Sequence, residues 1–424
     1  MGGRVGERAG ADAVSAPLKP NVGRRHALGL LGAGAGLVAA PRWAQSLVAP
    51  QVDLHLPGGN GTRPTTDAFP GKTGMILQRS RAPLLETPID AFDGQVFTPN
   101  ERFFVRWHYA DIPTSVDVRK FRLTVTGATR QNLSLSLGDL LAMPRVELAA
   151  VNQCSGNSRG LFAPRVPGAQ WGNGAIGNAR WVGVRLKDVL DRAGVMSGAV
   201  QVRASGLDQP PGDAPAFAKS LDIAHAMDGD VMIAFQMNGA QLPMLNGFPL
   251  RLVVPGWYST YWVKALDRLE VLDKPDTGYW MDKAYRIPTA PHANVAPGAK
   301  DFPTTPINRM VPRAFFTNIA DGAILPRGAP VSLRGIAMGG DHGVKAVELS
   351  VNGGRNWHAA ALGADEGRYS FRLWSMRLAA LPPGPCTLAV RCTNSAGETQ
   401  AFAPTWNPSG FMRNVIEQIS VSTA

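Results

Sequence analysis

Short runs in which apolar and polar residues alternate dominate the chain, with longer-period stretches between them. FRLTVTG at 121–127, VMIAFQMNG at 231–239 and LRLVVPG at 250–256 predict strands, where successive side chains take opposite faces. Leu137 to Leu141 and Leu186 to Ala193 carry apolar residues at helical spacing and predict short helices. A proline-rich stretch at 288–312 (PTAPHANVAPGAKDFPTTP) has no clear period and predicts a linker over 291–312. Beyond it the texture changes to VSLRGIAM, VKAVELSVNGG, YSFRLWSM and CTLAVRCTNSAG, punctuated by turn signals about every 8–12 residues. That pattern predicts an all-β sandwich of immunoglobulin type over 313–424. Asn352-Gly353-Gly354 marks a hairpin turn within it, because Asn and Gly accept positive φ cheaply. Residues 45–95, rich in Pro, Gly and Thr, predict an arm across the first domain. The fold class is thus α+β over 96–290, followed by a β-sandwich.

Composition supports this division. A chain of 424 residues is too long for one typical core, and 45% hydrophobic with 18% charged residues is a globular balance. The 34 prolines and 47 glycines favour turns and short strands over long helices. A net charge of +11 comes from scattered Lys and Arg without a basic run, which argues against nucleic acid and fits anionic ligands. Cys386 and Cys392 fall six apart on one predicted strand, about 20 Å, which is beyond disulfide reach. No C-x-x-C-H occurs, so no c-type haem is expected on this chain. At the start, Arg24-Arg25, a weakly apolar stretch from Ala27 to Ala40 and then Ala44-Gln45 have the order of a signal peptide over 1–44. The arginine pair suggests the twin-arginine route, which carries folded proteins to the periplasm; an ordinary secretory signal is the alternative. No apolar run is long enough for the roughly 20 residues of a membrane helix, so no membrane span is expected.

Two segments could carry chemistry. In Phe103-Phe104-Val105-Arg106-Trp107-His108, strand alternation puts Arg106 and His108 on one face. They form either an inward anion site or a solvated surface pair. In Val151-Asn152-Gln153-Cys154-Ser155-Gly156-Asn157-Ser158-Arg159-Gly160, glycines permit close backbone approach to a ligand, and a lone thiol stands near a guanidinium. Cys154 is either a soft metal ligand or a buried inert cysteine.

Taken together, Arg106-x-His108, Cys154-Ser-Gly-Asn-x-Arg159 and Trp171-x-x-Gly174 through Arg180-Trp181 resemble the sulfite oxidase family of molybdenum enzymes. The resemblance continues through Gly206-Leu-Asp208, Met237-Asn-Gly239, Gly247-Phe-Pro-Leu-Arg251, Val263-Lys264, Val351-Asn-Gly-Gly-x-x-Trp357 and Trp406-Asn407, covering the chain from about residue 96 to its end. It implies a molybdenum-pyranopterin cofactor whose metal takes the Cys154 thiolate. Arg106, Arg159, Trp171 and Tyr285 would line the oxyanion pocket, with Tyr285 chosen over Tyr258, Tyr261 and Tyr279. Phe104, His108, Asp208, Ser220, Asn246, Arg251 and Lys264 would hold the pterin and its phosphate. Two departures stand out: Asn246 replaces a histidine of the animal enzymes, and Ser409 replaces an arginine of many members, for which Arg413 is a candidate substitute. The implied activity is that of a sulfite dehydrogenase, with sulfite as substrate, a c-type cytochrome or haem subunit as electron acceptor, and a homodimer or a cytochrome-bound heterodimer as the assembly. A sulfane-sulfur dehydrogenase of the same fold is an alternative, as is a binding module with a decayed cofactor site.

Overall fold

The computed structural model describes residues 49–424, and the expected signal peptide lies outside them. The segment expected as an arm is instead the start of an antiparallel meander. Strands Gln51–Asp53, Thr62–Thr66, Met75–Arg79, Leu84–Glu86 and Val105–Arg106 pair in chain order. Its last strand carries Arg106, with Phe104 just before it, to the cleft described below.

Two further sheets complete the first module. One has the order Ala218–Asp222, Gln201–Gly206, Leu266–Leu272, Leu123–Gly127, Leu133–Leu135. The other runs Ala240–Gln241, Met232–Met237, Ile176–Arg185, Val146–Gln153, with Arg251–Val253 also pairing Met232–Met237. Val146–Gln153 and Ile176–Arg185 are paired along the full length of the shorter strand, from Val146↔Gly183 to Gln153↔Ile176. The ladder therefore delivers Cys154 at a fixed end.

Both predicted helices form, at Leu137–Leu141 and Leu186–Ala193. The first is held by a capping box, in which Ser136 Oγ accepts from the Asp139 amide and the Asp139 carboxylate accepts from the Ser136 amide. The second buries Leu186, Val189, Leu190 and Ala193 on one face and stops at Gly194, whose φ of 69° suits glycine. Among the described residues no α-helix exceeds these eight residues, so the α+β expectation is corrected to a mostly β protein with few, short helices. Frequent Pro and Gly leave little uninterrupted sequence in which a longer helix could propagate. No helix among the described residues is long and apolar enough to cross a membrane.

The second module packs two sheets face to face. The four-stranded sheet has the order Arg313–Phe316, Val331–Met338, Arg372–Leu378, Ala361–Leu362. The five-stranded sheet runs Ala323–Leu325, Glu417–Thr423, Gly384–Asn394, Val344–Ser350, His358–Ala359. Leu333, Trp374, Leu349, Leu388, Val390 and Cys392 fill the space between. Cys386 and Cys392 share the strand Gly384–Asn394 and are free thiols, as their spacing requires. The Asn352-Gly353-Gly354 turn connects strand Val344–Ser350 to His358–Ala359 by a loop wider than a tight hairpin. Only the glycines take positive φ, at 67° and 89°, while the Asn352 side chain accepts from the Asn356 amide. The proline-rich stretch is pinned rather than free, because Thr304–Pro306 pairs with Arg286–Pro288.

Candidate active site

The Cys154 loop is fastened residue by residue to the segment 171–175. The Cys154 amide donates to Ala175 O (2.9 Å), Ser158 to Gly172 O (2.7 Å) and Gly160 to Trp171 O (2.9 Å). In return, the Ala175 amide donates to Asn157 Oδ1 at 2.9 Å. Trp171 is thereby fixed to the loop through its backbone, with its side chain fully buried.

Glu86 secures the far side of segment 171–175. Its carboxylate accepts from Gly174 (2.9 Å), Gly172 (3.2 Å) and Gln78 Nε2 (2.7 Å). A side chain at 174 would place Cβ 1.9 Å from Thr87 O, so only glycine allows this approach. Burial pushes the Glu86 carboxyl up to about 7, against the three N–H donors that lower it. Because the folded state holds this proton up to about pH 7 and the unfolded chain releases it near its ordinary value of 4.5, folding is linked to proton uptake between those limits. Stability relative to Glu86→Gln is expected to fall by about 3 kcal/mol as pH rises through that window. Chemical denaturation of both proteins at pH 4.5 and 7.5 measures the difference; parallel curves would exclude the linkage.

A narrow cleft opens where the three sheets meet. Phe104, Arg106, His108, Cys154, Asn246, Arg251, Lys264 and Tyr285 line it, together with Asn152, Ser155, Phe217, Leu245, Ser259 and Thr260. Arg251 is delivered by the sheet that ends at Cys154, and its guanidinium lies over Trp181 (4.9 Å) and Trp262 (5.6 Å). Lys264 sits over Trp107 at 4.6 Å. Gly206 lets the chain pass the Lys264 carbonyl, since a Cβ there would stand 2.2 Å from it. This crossing brings buried Asp208 within electrostatic reach of Lys264 and Arg106.

The expected residues do not all reach the cleft. Arg159 lies beside it, close enough for its charge to act on Tyr285, and its side chain is wrapped by Gly156 and Gly168, where a Cβ would come within 2.7 Å of the guanidinium. Asp208 and Trp171 stand outside the lining. So does Ser220, whose hydroxyl is committed to Asp276 Oδ2 at 2.6 Å. Arg413 does not replace the absent arginine at 409, because it pairs with Glu417 at 3.0 Å. Of the four candidate tyrosines only Tyr285 lines the cleft; Tyr258 and Tyr261 are buried elsewhere and Tyr279 is half exposed.

One important neighbour had no signal in the sequence. Buried Lys72 donates to Asn246 Oδ1 (2.7 Å), Phe103 O (2.8 Å) and Asn100 O (2.7 Å). Asn246 then donates to Phe104 O and its carbonyl accepts from Arg251 Nη1. A solitary lysine in a loop reads as surface, and only the tertiary fold shows that it props the asparagine standing in a histidine's place.

The electrostatics suit a buried anion. Burial, with Arg251 and Arg106 beside it and against Asp208 and Cys154, pulls Lys264 down to about 7, and burial pulls Arg251 down to about 9. Burial, reinforced by Arg106, Lys264 and Lys219, keeps His108 well below the ordinary histidine value, so it is neutral at pH 7. Burial raises the Tyr285 phenol, which stays protonated, and its oxygen lies 2.6 Å from His108 Nε2. Several buried lining groups have no protein partner: Arg106 Nη1, Asn152 Nδ2, Ser155 Oγ and Arg251 Nε. Each such group costs about 1–3 kcal/mol unless a ligand meets it. Among the described residues no cluster of three His, Cys, Asp or Glu converges to hold a metal ion. A metal at Cys154 would therefore be held by one protein thiolate and a cofactor, and the orphaned donors fit that cofactor's anionic and heteroatom groups.

Comparison with known proteins agrees with this geometry. Residues 109–280 match the oxidoreductase molybdopterin binding domain, and residues 305–424 the Mo-co oxidoreductase dimerisation domain. Mitochondrial sulfite oxidase of Homo sapiens is 34% identical over 79% of this chain, which spans 63% of that protein's length. Sulfite oxidase of Gallus gallus is 32% identical over 81% of this chain and 77% of its own length. In fold, the crystal structure of the sulfane dehydrogenase SoxCD from Paracoccus pantotrophus superposes with a TM-score of 0.71, covering 92% of this chain and 93% of that one at 24% identity. The chain belongs to the sulfite oxidase family of molybdenum enzymes and takes a molybdenum-pyranopterin cofactor.

Proposed function

We propose that this protein oxidises sulfite to sulfate, SO₃²⁻ + H₂O → SO₄²⁻ + 2H⁺ + 2e⁻, and passes the electrons one at a time to a c-type cytochrome. The observation that carries the reading is the cleft itself, whose lining brings Arg106, Arg251 and Lys264 together beside the one thiol and holds no carboxylate. The cofactor, when bound through Cys154, supplies the two-electron capacity and the site of oxygen transfer. Arg106 binds and orients the oxyanion with charge-assisted hydrogen bonds, and Arg159, beside the cleft, adds its charge to the attraction. Neutral His108 and the Tyr285 hydroxyl hold one proton between them at 2.6 Å, a relay for the protons that water releases. Arg251, Lys264 and Asn246, with Lys72 behind it, would hold the pterin and its phosphate.

Two structural expectations join this proposal. The C-terminal sandwich is read as an immunoglobulin-type dimerisation module, and Arg24-Arg25 supports export of the folded, cofactor-loaded protein to the periplasm. Oxidation of a sulfane sulfur is the second reading. It is favoured by Ser409, which places a backbone carbonyl rather than another guanidinium beside Arg159. The deciding measurement is molybdenum content of the purified protein, followed by sulfite-dependent reduction of cytochrome c. One molybdenum per chain with sulfite turnover supports the first reading. Molybdenum with turnover on thiosulfate-type substrates alone transfers the proposal to the second.

A further inference from the structure

We propose that Phe411, a residue of the sandwich module, is a positioning residue that sets the anion affinity of the cleft by holding Arg159 and Tyr285 in place. The inference rests on the anion-oxidising function proposed above. Between Trp406 and strand Glu417–Thr423 the chain leaves the sandwich and reaches the first module. The Met412 amide donates to Ser155 O at 3.0 Å, next to Cys154. Ser409 Oγ donates to Arg286 O at 3.0 Å, next to Tyr285. The Asn407 side chain locks the turn from within, donating to Phe411 O (2.9 Å) and accepting from the Phe411 amide (3.2 Å). At Gly410, with φ of 58°, a Cβ would lie 2.3 Å from Val166 and 2.9 Å from Arg159 Cγ, so the loop touches Arg159 as closely as a backbone can.

This loop delivers one aromatic ring to both polar groups. The Phe411 ring stacks on Tyr285 at 5.3 Å with an interplanar angle of 10°. The Arg159 guanidinium lies over the same ring at 4.9 Å. Among the described residues no carboxylate pairs with Arg159, and its one side-chain hydrogen bond goes to Ser409 O at 3.2 Å, leaving its buried Nε without a partner. A guanidinium so sparsely tethered depends for its orientation on the surface beneath it. Phe411 provides that surface, and through Tyr285 it also fixes the phenol against His108. Sequence gave no hint of this role, since a phenylalanine far along the chain reads as packing.

The test compares Phe411→Leu with the conservative Phe411→Tyr, both loaded with molybdenum. Phe411→Leu is expected to raise KM for sulfite roughly tenfold and to change kcat by less than about threefold, the size of a lost partly buried cation–π contact and ring stack. Phe411→Tyr, which keeps the ring, is expected to return KM to within about twofold of the wild-type value. Phe411→Met fills the volume without a π face and must reproduce the Leu result, which covers the case in which the branched side chain disturbs the fold. Calorimetric binding of sulfate to the oxidised enzyme reads the same effect without turnover, again as a roughly tenfold weaker Kd. Sulfate affinity that shifts while sulfite is not oxidised keeps the positioning role and removes the proposed reaction. Equal sulfate affinity in all forms, no sulfate binding in any of them, or a loss confined to kcat overturns the positioning role.

Discussion

Cys154→Ala is expected to abolish the proposed sulfite oxidation while leaving the protein folded. The thiol is 7% exposed, at the end of a fully paired ladder whose hydrogen bonds are all backbone, so deleting one sulfur removes little packing. The fold should lose only about 1 kcal/mol. The chemical loss is far larger, because the thiol is the one soft ligand the cleft offers and, in the proposed reading, the group that would hold the metal. Groups that merely support a metal ligand typically cost 10–100-fold when removed, and the ligand itself must cost more. Turnover of sulfite is expected to fall by more than roughly 100-fold, with molybdenum per chain reduced and the thermal midpoint nearly unchanged. Elemental analysis and cytochrome c reduction on the same preparation read both. Activity within tenfold of wild type would remove Cys154 from the metal.

The second large effect is on stability and comes from the junction of the two modules. Arg313, fully buried at the first strand of the sandwich, pairs with Glu417 on the last strand and donates to Ser158 Oγ at 2.9 Å in the Cys154 loop. Burial raises the Glu417 carboxyl, but Arg413 and Arg313 outweigh it and hold the group below its ordinary value. Removing one member of such a buried network strands the others in a low-dielectric setting. Arg313→Met is expected to destabilise the protein by about 3–5 kcal/mol, read by denaturant midpoint, and to loosen the loop that presents Cys154. Arg313→Met combined with Glu417→Leu is expected to recover part of that loss, because the buried Glu417 charge is then gone and only the less buried Arg413 loses its partner. Additive losses in the double variant would show that the pair contributes through shape alone.

What could be read without coordinates was local or carried by order. Helices at 137–141 and 186–193 were visible because capping and a one-sided apolar face act within a few residues. The sandwich strands were visible because alternation records a half-buried pleat. Cys154, Arg106, His108, Arg251, Lys264 and Tyr285 emerged because several motifs recur in one order, and the fold gathers all six around one cleft. Spacing alone left Arg106–His108 and Cys154 open to ordinary readings.

Other features are long-range and leave no mark on the residues involved. Residues 45–95 have the composition of an arm, yet the strands from Gln51 to Glu86 pair in chain order up to Val105–Arg106 and form a sheet, since hydrogen-bond partners rather than composition decide that outcome. Lys72 behind Asn246 and Glu86 behind the Trp171 segment are pairings across 174 and 88 residues, whereas Arg413 turns to Glu417 only 4 residues on. The first two bury a charge that sequence reading assigns to the surface, and each is tolerated only because distant donors or acceptors converge on it. The amino-acid sequence by itself thus determined the family and the cofactor and pointed to six of the side chains that line the cleft, because those are chemical identities written into short motifs. The tertiary structure alone decided which of those side chains share a cleft, which are already committed to other partners, and that a ring from the second module stands between Arg159 and Tyr285, because these depend on through-space distance.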